Sequence, residues 1–256
     1  MQDMFSLEGK VAVIVGGGGV LAGEMAHGFA DSGASIVVVD VNIDNAEARA
    51  RAVRETGRTS VAVHADASQR EDMERALQTT IDRFGRVDIL INAAGINSGT
   101  PFFDITDEEW HRILDVDLKS MFLGCQIFGR KMVEAQQGGS IINISSIASD
   151  PPLSKVFTYS VAKGGINQLT RFLAREWAPH RIRVNAILPG FVPAEQNRKL
   201  LTPERTAQVL GHTPMGRFGE PHELVGAAIF LAAERASSFV TGTLLRVDGG
   251  FGAMSI

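Results

Sequence analysis

The run Val11-Ala12-Val13-Ile14-Val15, followed at once by Gly16-Gly17-Gly18-Gly19-Val20-Leu21-Ala22-Gly23, decides how the rest of the chain is read. Five consecutive apolar, mostly β-branched residues read as a strand buried on both faces, since a half-exposed strand would alternate with polar residues. The glycines let backbone come close to a ligand, and the helix predicted over 24 to about 30 offers free N–H groups and a positive dipole end. Strand, glycine turn and helix in that order make a seat for a pyrophosphate. Working outward, short β-branched runs at 36–39, 61–64, 89–92, 140–144, 183–188 and 244–247 read as further strands. Helical spacing fills the gaps at 45–55, 71–84, 107–133, 162–177 and 223–233. The alternation predicts a single-domain α/β fold over 1–256, a Rossmann-type doubly wound parallel sheet with helices on both faces and a crevice at the strands' carboxyl ends. One segment, 189–221, is interrupted by Pro193, Pro203 and Pro214 and reads as a lid or substrate loop.

Composition narrows the function classes. The 25 basic and 29 acidic residues leave a net charge of −4, which supplies no field for nucleic acid or anionic membranes. No apolar stretch approaches the roughly 18 residues that cross a bilayer. Cys125 is the only cysteine, so no internal disulfide forms, and Asp3 and Glu8 stand where a secretion signal would be basic and apolar; a cytoplasmic address is expected. The six histidines are too widely spaced to build a metal site with Cys125, and no metal is expected.

Asp40 ends the second predicted strand, where a carboxylate accepts hydrogen bonds from the adenosine ribose hydroxyls and repels the extra phosphate of NADP. No Lys or Arg lies in the glycine turn or beside Asp40, so the expected cofactor is NAD. Asp66, after the third strand, is placed to meet the adenine amino group. Asn92-Ala93-Ala94-Gly95, after the fourth, offers small residues against which a ribose can lie.

The only tyrosine sits in Tyr159-Ser160-Val161-Ala162-Lys163. Residues four apart share a helix face, so the ammonium reaches the phenol's neighbourhood. A free phenol titrates near ~10; a cation about 4 Å away at an effective dielectric near 20 is worth roughly 4 kcal/mol, about three pKa units, which would bring Tyr159 into the range of acid–base catalysis. Ser146 closes the strand Ile141-Ile142-Asn143-Ile144 through Ser145, again at a carboxyl end, where a hydroxyl can hold a substrate oxygen.

With these residues in place, the sequence resembles the short-chain dehydrogenase/reductase family over nearly its whole length, from Gly9-Lys10-Val11 to Val247-Asp248-Gly249-Gly250. The resemblance rests on the glycine turn, Asp66, Asn92 to Gly95, the Ser146 to Tyr159 spacing, the Tyr159 to Lys163 pair, and Arg183-Val184-Asn185 leading to Pro189-Gly190. It implies hydride transfer between nicotinamide and a carbinol or carbonyl carbon, with Tyr159 as acid/base, Ser146 positioning the oxygen, and Lys163 binding the nicotinamide ribose and acidifying the phenol. It implies cofactor contacts at Gly17, Gly19, Leu21, Gly23, Asp40, Asp66 and Ala67, then at Asn92, Ala93, Gly95, Tyr159, Lys163, Pro189, Gly190 and Val192. The helices at 107–133 and 162–177 resemble those through which the family forms homodimers and homotetramers. Three positions depart from the family pattern: Asp117 stands for the usual Asn, Leu21 for a glycine of the turn, and Ala194 for the threonine after Pro-Gly.

Gly16 to Leu21, Pro193 to Arg198 and His212 to Phe218 are similar to the fructuronate reductase-like (mannonate oxidoreductase-like) members, which implies a sugar, sugar acid or polyol as the small-molecule substrate. Arg198 can bind a carboxylate through two parallel hydrogen bonds, while Gln196, Asn197 and Asn97 can read hydroxyls. Two alternatives stay open. A 3-oxoacyl-thioester reductase would want NADPH and a basic docking patch, neither evident here. A non-catalytic nucleotide-sensing protein would have no need of Ser146, Tyr159 and Lys163.

Overall fold

A computed structural model describes residues 4–193 and 201–254 of the chain. Seven parallel strands, β1 (Val11–Val15), β2 (Ser35–Asp40), β3 (Ser60–His64), β4 (Ile89–Asn92), β5 (Gly139–Ile144), β6 (Ile182–Pro189) and β7 (Leu244–Val247), form one sheet in the order β3-β2-β1-β4-β5-β6-β7. Each predicted strand is present within a residue of its expected limits. The order reverses between β1 and β4, and that break opens a crevice beyond the carboxyl ends.

The strands are apolar throughout because alternate residues feed two separate cores. Ala12, Ile14, Ile36, Val38, Ile89, Ile91, Ile142 and Ile187 face one side, packed under α1 (Val20–Asp31), α2 (Ile43–Glu55) and α8 (Val225–Ala232). Val11, Val13, Val15, Val37, Val39, Leu90, Ile141 and Val184 face the other, under α3 (Arg70–Phe84), α5 (Ser120–Ala135) and α6 (Phe157–Trp177). Phe29 and Phe128, both fully buried, anchor the two sides; truncating either to alanine would cost about 3–5 kcal/mol.

Several helices differ from their sequence-based limits. α1 begins at Val20, not Glu24, so Leu21 and Gly23 lie inside it. The stretch predicted as one helix over 107–133 is α4 (Asp107–Leu114), one π-helical turn (Asp115–Lys119) and then α5. The helix expected from residue 162 begins at Phe157, which places Tyr159 within its first turn. A 3₁₀ turn (Pro221–Leu224) precedes α8, which starts two residues after the predicted limit, and the short α9 (Glu234–Ser237) follows it. Within the proline-interrupted segment, α7 (Pro203–His212) is helical: Thr202 caps it by accepting the Arg205 N–H at 3.3 Å, and Pro203 takes the first helical position, where its missing N–H costs nothing.

Candidate active site

The glycine turn sits at the carboxyl end of β1. Gly16 has φ +75°, and a Cβ there would lie 2.6 Å from the Ala94 nitrogen, so only glycine lets the turn press on the segment after β4. α1 then starts at the Gly19 N-cap with no side chain capping it and no acidic residue in its first turn. Its exposed N–H groups and dipole end suit an anionic group, which is the chemistry of a dinucleotide pyrophosphate. At the end of β2, Asp40 accepts the Gly18 N–H at 2.9 Å through one carboxylate oxygen and the Asn42 N–H at 2.9 Å through the other. Its carboxylate therefore lies against the glycine turn, and among the described residues no cation pairs with it. From α2, the Arg49 side chain packs on Gly23.

Asp66 and Ala67 follow β3, half-buried; one Asp66 oxygen accepts the Ser68 N–H (2.9 Å) and hydroxyl (2.8 Å), while its own N–H donates to Asp72 at 2.8 Å. Asn92 ends β4 and is buried. Its side chain turns into the core, where Nδ2 donates to Asn143 Oδ1 at 2.9 Å, and Asn143 in turn donates to Thr170 at 3.0 Å. The residues that follow, Ala93 to Gly95, are half-buried, and Gly190, after β6, lines a cavity with Asn97 and Tyr159. Pro189 and Val192 are buried.

The chemical end is built by β5 and α6. Tyr159 and Lys163 stand four residues apart on α6, and the Lys163 Nζ lies 5.2 Å from the centre of the Tyr159 ring. Lys163 is buried and donates to the Ile144 carbonyl at 3.1 Å, which fixes its reach. Among the described residues nothing hydrogen-bonds the Tyr159 hydroxyl. Ser146 accepts the Ala148 N–H at 3.0 Å and, with Asn97, Tyr159 and Gly190, lines a cavity of about 100 Å³. Arrangements of this kind can hold a substrate oxygen between two hydroxyls, with a cation beside one of them.

Two features escape a reading of the sequence alone. Asp117 comes from the π-helical turn and is wholly buried. One oxygen accepts the Ile96 N–H at 2.7 Å; the other, without a hydrogen bond, lies 3.5 Å from Lys163 Nζ. Burial pushes the Asp117 carboxyl above its usual range, and Lys163 and the Ile96 N–H pull it partly back. Gly95 leaves room for this pair, since a Cβ there would lie 3.2 Å from the carboxylate and 3.4 Å from Nζ. The second is Arg205, on α7, which lines the same cavity as Tyr159 and Ser146. Its signal was Thr202-Pro203-Glu204, a helix start that the prolines around it disguised. Gln196, Asn197, Arg198 and Ala194 lie outside the described residues.

No group of three or more metal-ligating side chains is found among the described residues, and no helix of those residues is long and apolar enough to cross a membrane. A family model described as Enoyl-(Acyl carrier protein) reductase matches residues 19–252. The chain is 36% identical to the 5-keto-D-gluconate 5-reductase of Escherichia coli, covering 98% of both chains. It is 38% identical to a galactitol 2-dehydrogenase (L-tagatose-forming) of Cereibacter sphaeroides, again over 98% of each. Among solved structures, a gluconate 5-dehydrogenase from Burkholderia cenocepacia in complex with NADP and tartrate superimposes with a TM-score of 0.94 at 34% identity, covering 99% of both chains.

Proposed function

The chain belongs to the short-chain dehydrogenase/reductase family, and from that premise we propose an NAD-dependent oxidoreductase that interconverts a secondary alcohol and a ketone on a sugar acid or polyol. The observation that carries the reading is the Lys163 ammonium set 5.2 Å over the Tyr159 ring, beside a cavity that Ser146 also lines. Bound nicotinamide supplies the hydride acceptor or donor. The residues of this chain do the rest. Tyr159 takes the hydroxyl proton during oxidation and returns it during reduction, Ser146 holds the substrate oxygen, and Lys163, beside the phenol ring, reaches the ribose.

The uncapped start of α1 and the glycine turn fit a dinucleotide, with Gly17, Gly19, Leu21 and Gly23 along it and Asp66, Ala67, Ala93, Gly95, Pro189, Gly190 and Val192 at the later strand ends. NAD is favoured over NADP because the Asp40 carboxylate, unpaired with any cation among the described residues, would repel a 2′-phosphate. The NADP of the Burkholderia structure belongs to that protein. The sugar-acid and polyol substrates in the relatives' names support the substrate class. The resemblance to fructuronate reductase-like members points the same way without choosing the particular sugar acid. A lid over 189–221, a cytoplasmic setting and a homodimer or homotetramer complete the proposal.

Changing Tyr159 to Phe is the direct test. Turnover should fall by at least about a hundredfold, the scale of a lost general acid–base group, while NADH binding, followed by fluorescence, stays within about twofold. Turnover close to that of the unaltered enzyme removes Tyr159 as the acid/base and the function with it.

A further inference from the structure

We propose that Arg205 is the anchor for a substrate carboxylate, which makes the preferred substrate a sugar acid and not a neutral polyol; the inference rests on the oxidoreductase reading above. Arg205 lies in the first turn of α7, a position set by the Thr202 cap on its own N–H. It lines the cavity that holds Tyr159, Ser146 and Asn97. The residue is half-buried and its guanidinium is held in place: one terminal nitrogen donates to the Ser154 hydroxyl at 3.0 Å and the other to the Ser154 carbonyl at 3.1 Å.

A single neutral residue therefore fixes the plane of the guanidinium, and no carboxylate of the described residues comes within 4 Å of it. That contrasts with Arg217 near the same lid, which is clamped by Glu223 through both terminal nitrogens. A guanidinium has five N–H donors, and holding two on Ser154 leaves the others for an anion. Planar, delocalised and always charged, it prefers a carboxylate taken by two parallel hydrogen bonds. The rest of the cavity wall is apolar or neutral: Ile147, Ala148, Leu153, Val156, Phe191 and Leu201. Such a wall leaves the cation poorly solvated on the cavity side, so a neutral CH₂OH in place of the carboxylate would meet it at a disadvantage. An open-chain sugar acid carries both parts in one molecule, a carbinol for Tyr159 and Ser146 and a carboxylate for Arg205.

D-gluconate and D-glucitol differ only in carboxylate against CH₂OH, and they serve as the paired probes with NAD at saturation. The unaltered enzyme should favour gluconate at least tenfold in kcat/KM. Arg205→Met should shrink that ratio at least tenfold, chiefly through KM for gluconate. A ratio untouched by Arg205→Met, or gluconate and glucitol losing activity in proportion, overturns the anchor. Equilibrium binding of gluconate to the NADH complex of Tyr159→Phe supplies a readout apart from turnover, and adding Arg205→Met should weaken it at least tenfold. If gluconate binds through Arg205 but is never oxidised, the oxidoreductase reading for sugar acids fails and the anchor stands. If gluconate is oxidised as well by Arg205→Met, the anchor fails and the reading stands. No gluconate binding in the Tyr159→Phe complex overturns the anchor.

Discussion

At the scale of single residues, Asp117 and Lys163 depend on each other. Both are buried, and each removes an uncompensated charge from the other's surroundings. Breaking a buried pair by deleting one partner costs about 3–5 kcal/mol, because the remaining charge is left without water or counter-ion. Asp117→Ala should therefore lose stability on that scale in urea denaturation, and Asp117→Asn, which keeps an oxygen for the Ile96 N–H, should lose less. If Asp40 sets cofactor choice as proposed, Asp40→Ala should lower the NAD-to-NADP ratio of kcat/KM by about tenfold or more, and an unchanged ratio would end its assigned part. Cys125 is fully buried, and burial pushes its thiol up to about 12. The thiolate is the reactive form, so the native protein at pH 8 should leave a thiol-titrating reagent unconsumed until denaturant is added. The positions of Tyr159, Lys163, Ser146 and Asp40 were legible in the chain because each depends on local spacing or a strand end. The Asp117–Lys163 contact was not, because 46 positions separate the two and no local pattern marks the meeting.

At the scale of elements, the prolines of 189–221 read as breaks, yet Pro203 starts α7. Proline ends a helix from inside and begins one from its first turn, so the residue alone does not say which. The single π-helical turn was likewise invisible, since one extra residue in a helix leaves its apolar spacing nearly unchanged. It is that turn which brings Asp117 to Lys163. At the end of the proline-interrupted segment, Arg217 holds Glu223 by two hydrogen bonds, and the Glu220 N–H adds a third, so the Glu223 carboxyl is held well below its usual range, to about 2. A carboxyl lowered on folding adds stability above its unfolded value, near 4.5, that disappears as pH falls toward the folded one. The segment from Arg217 to Glu223 should thus loosen between about pH 4.5 and 2 in the unaltered protein. Glu223→Gln should already show the faster amide exchange there at neutral pH.

At the scale of the whole molecule, the seven parallel strands collect the glycine turn, Asp40, Asp66, Gly95, Ser146 and Gly190 at one edge of the sheet. The two buried layers pack against the faces of that sheet. The outward sides of α5 and α6 still carry exposed aromatics, Phe122 at 43% and Phe172 at 61%. If these helices join copies of the chain, the unaltered protein should sediment as a dimer or tetramer. Phe122→Glu with Phe172→Glu should then sediment as a monomer; an unchanged mass would remove these two residues from any interface.

Strand limits, the strand–helix alternation, the glycine turn and the Tyr159–Lys163 pair followed from sequence by itself, since buried parallel strands must be apolar along their length and residues four apart in a helix must share a face. Tertiary structure alone decided the Asp117 ion pair, the inward turn of Asn92 and the entry of Arg205 into the cavity. Those depend on where distant segments meet, and crossing distance in the chain is something that only packing around a common sheet can do.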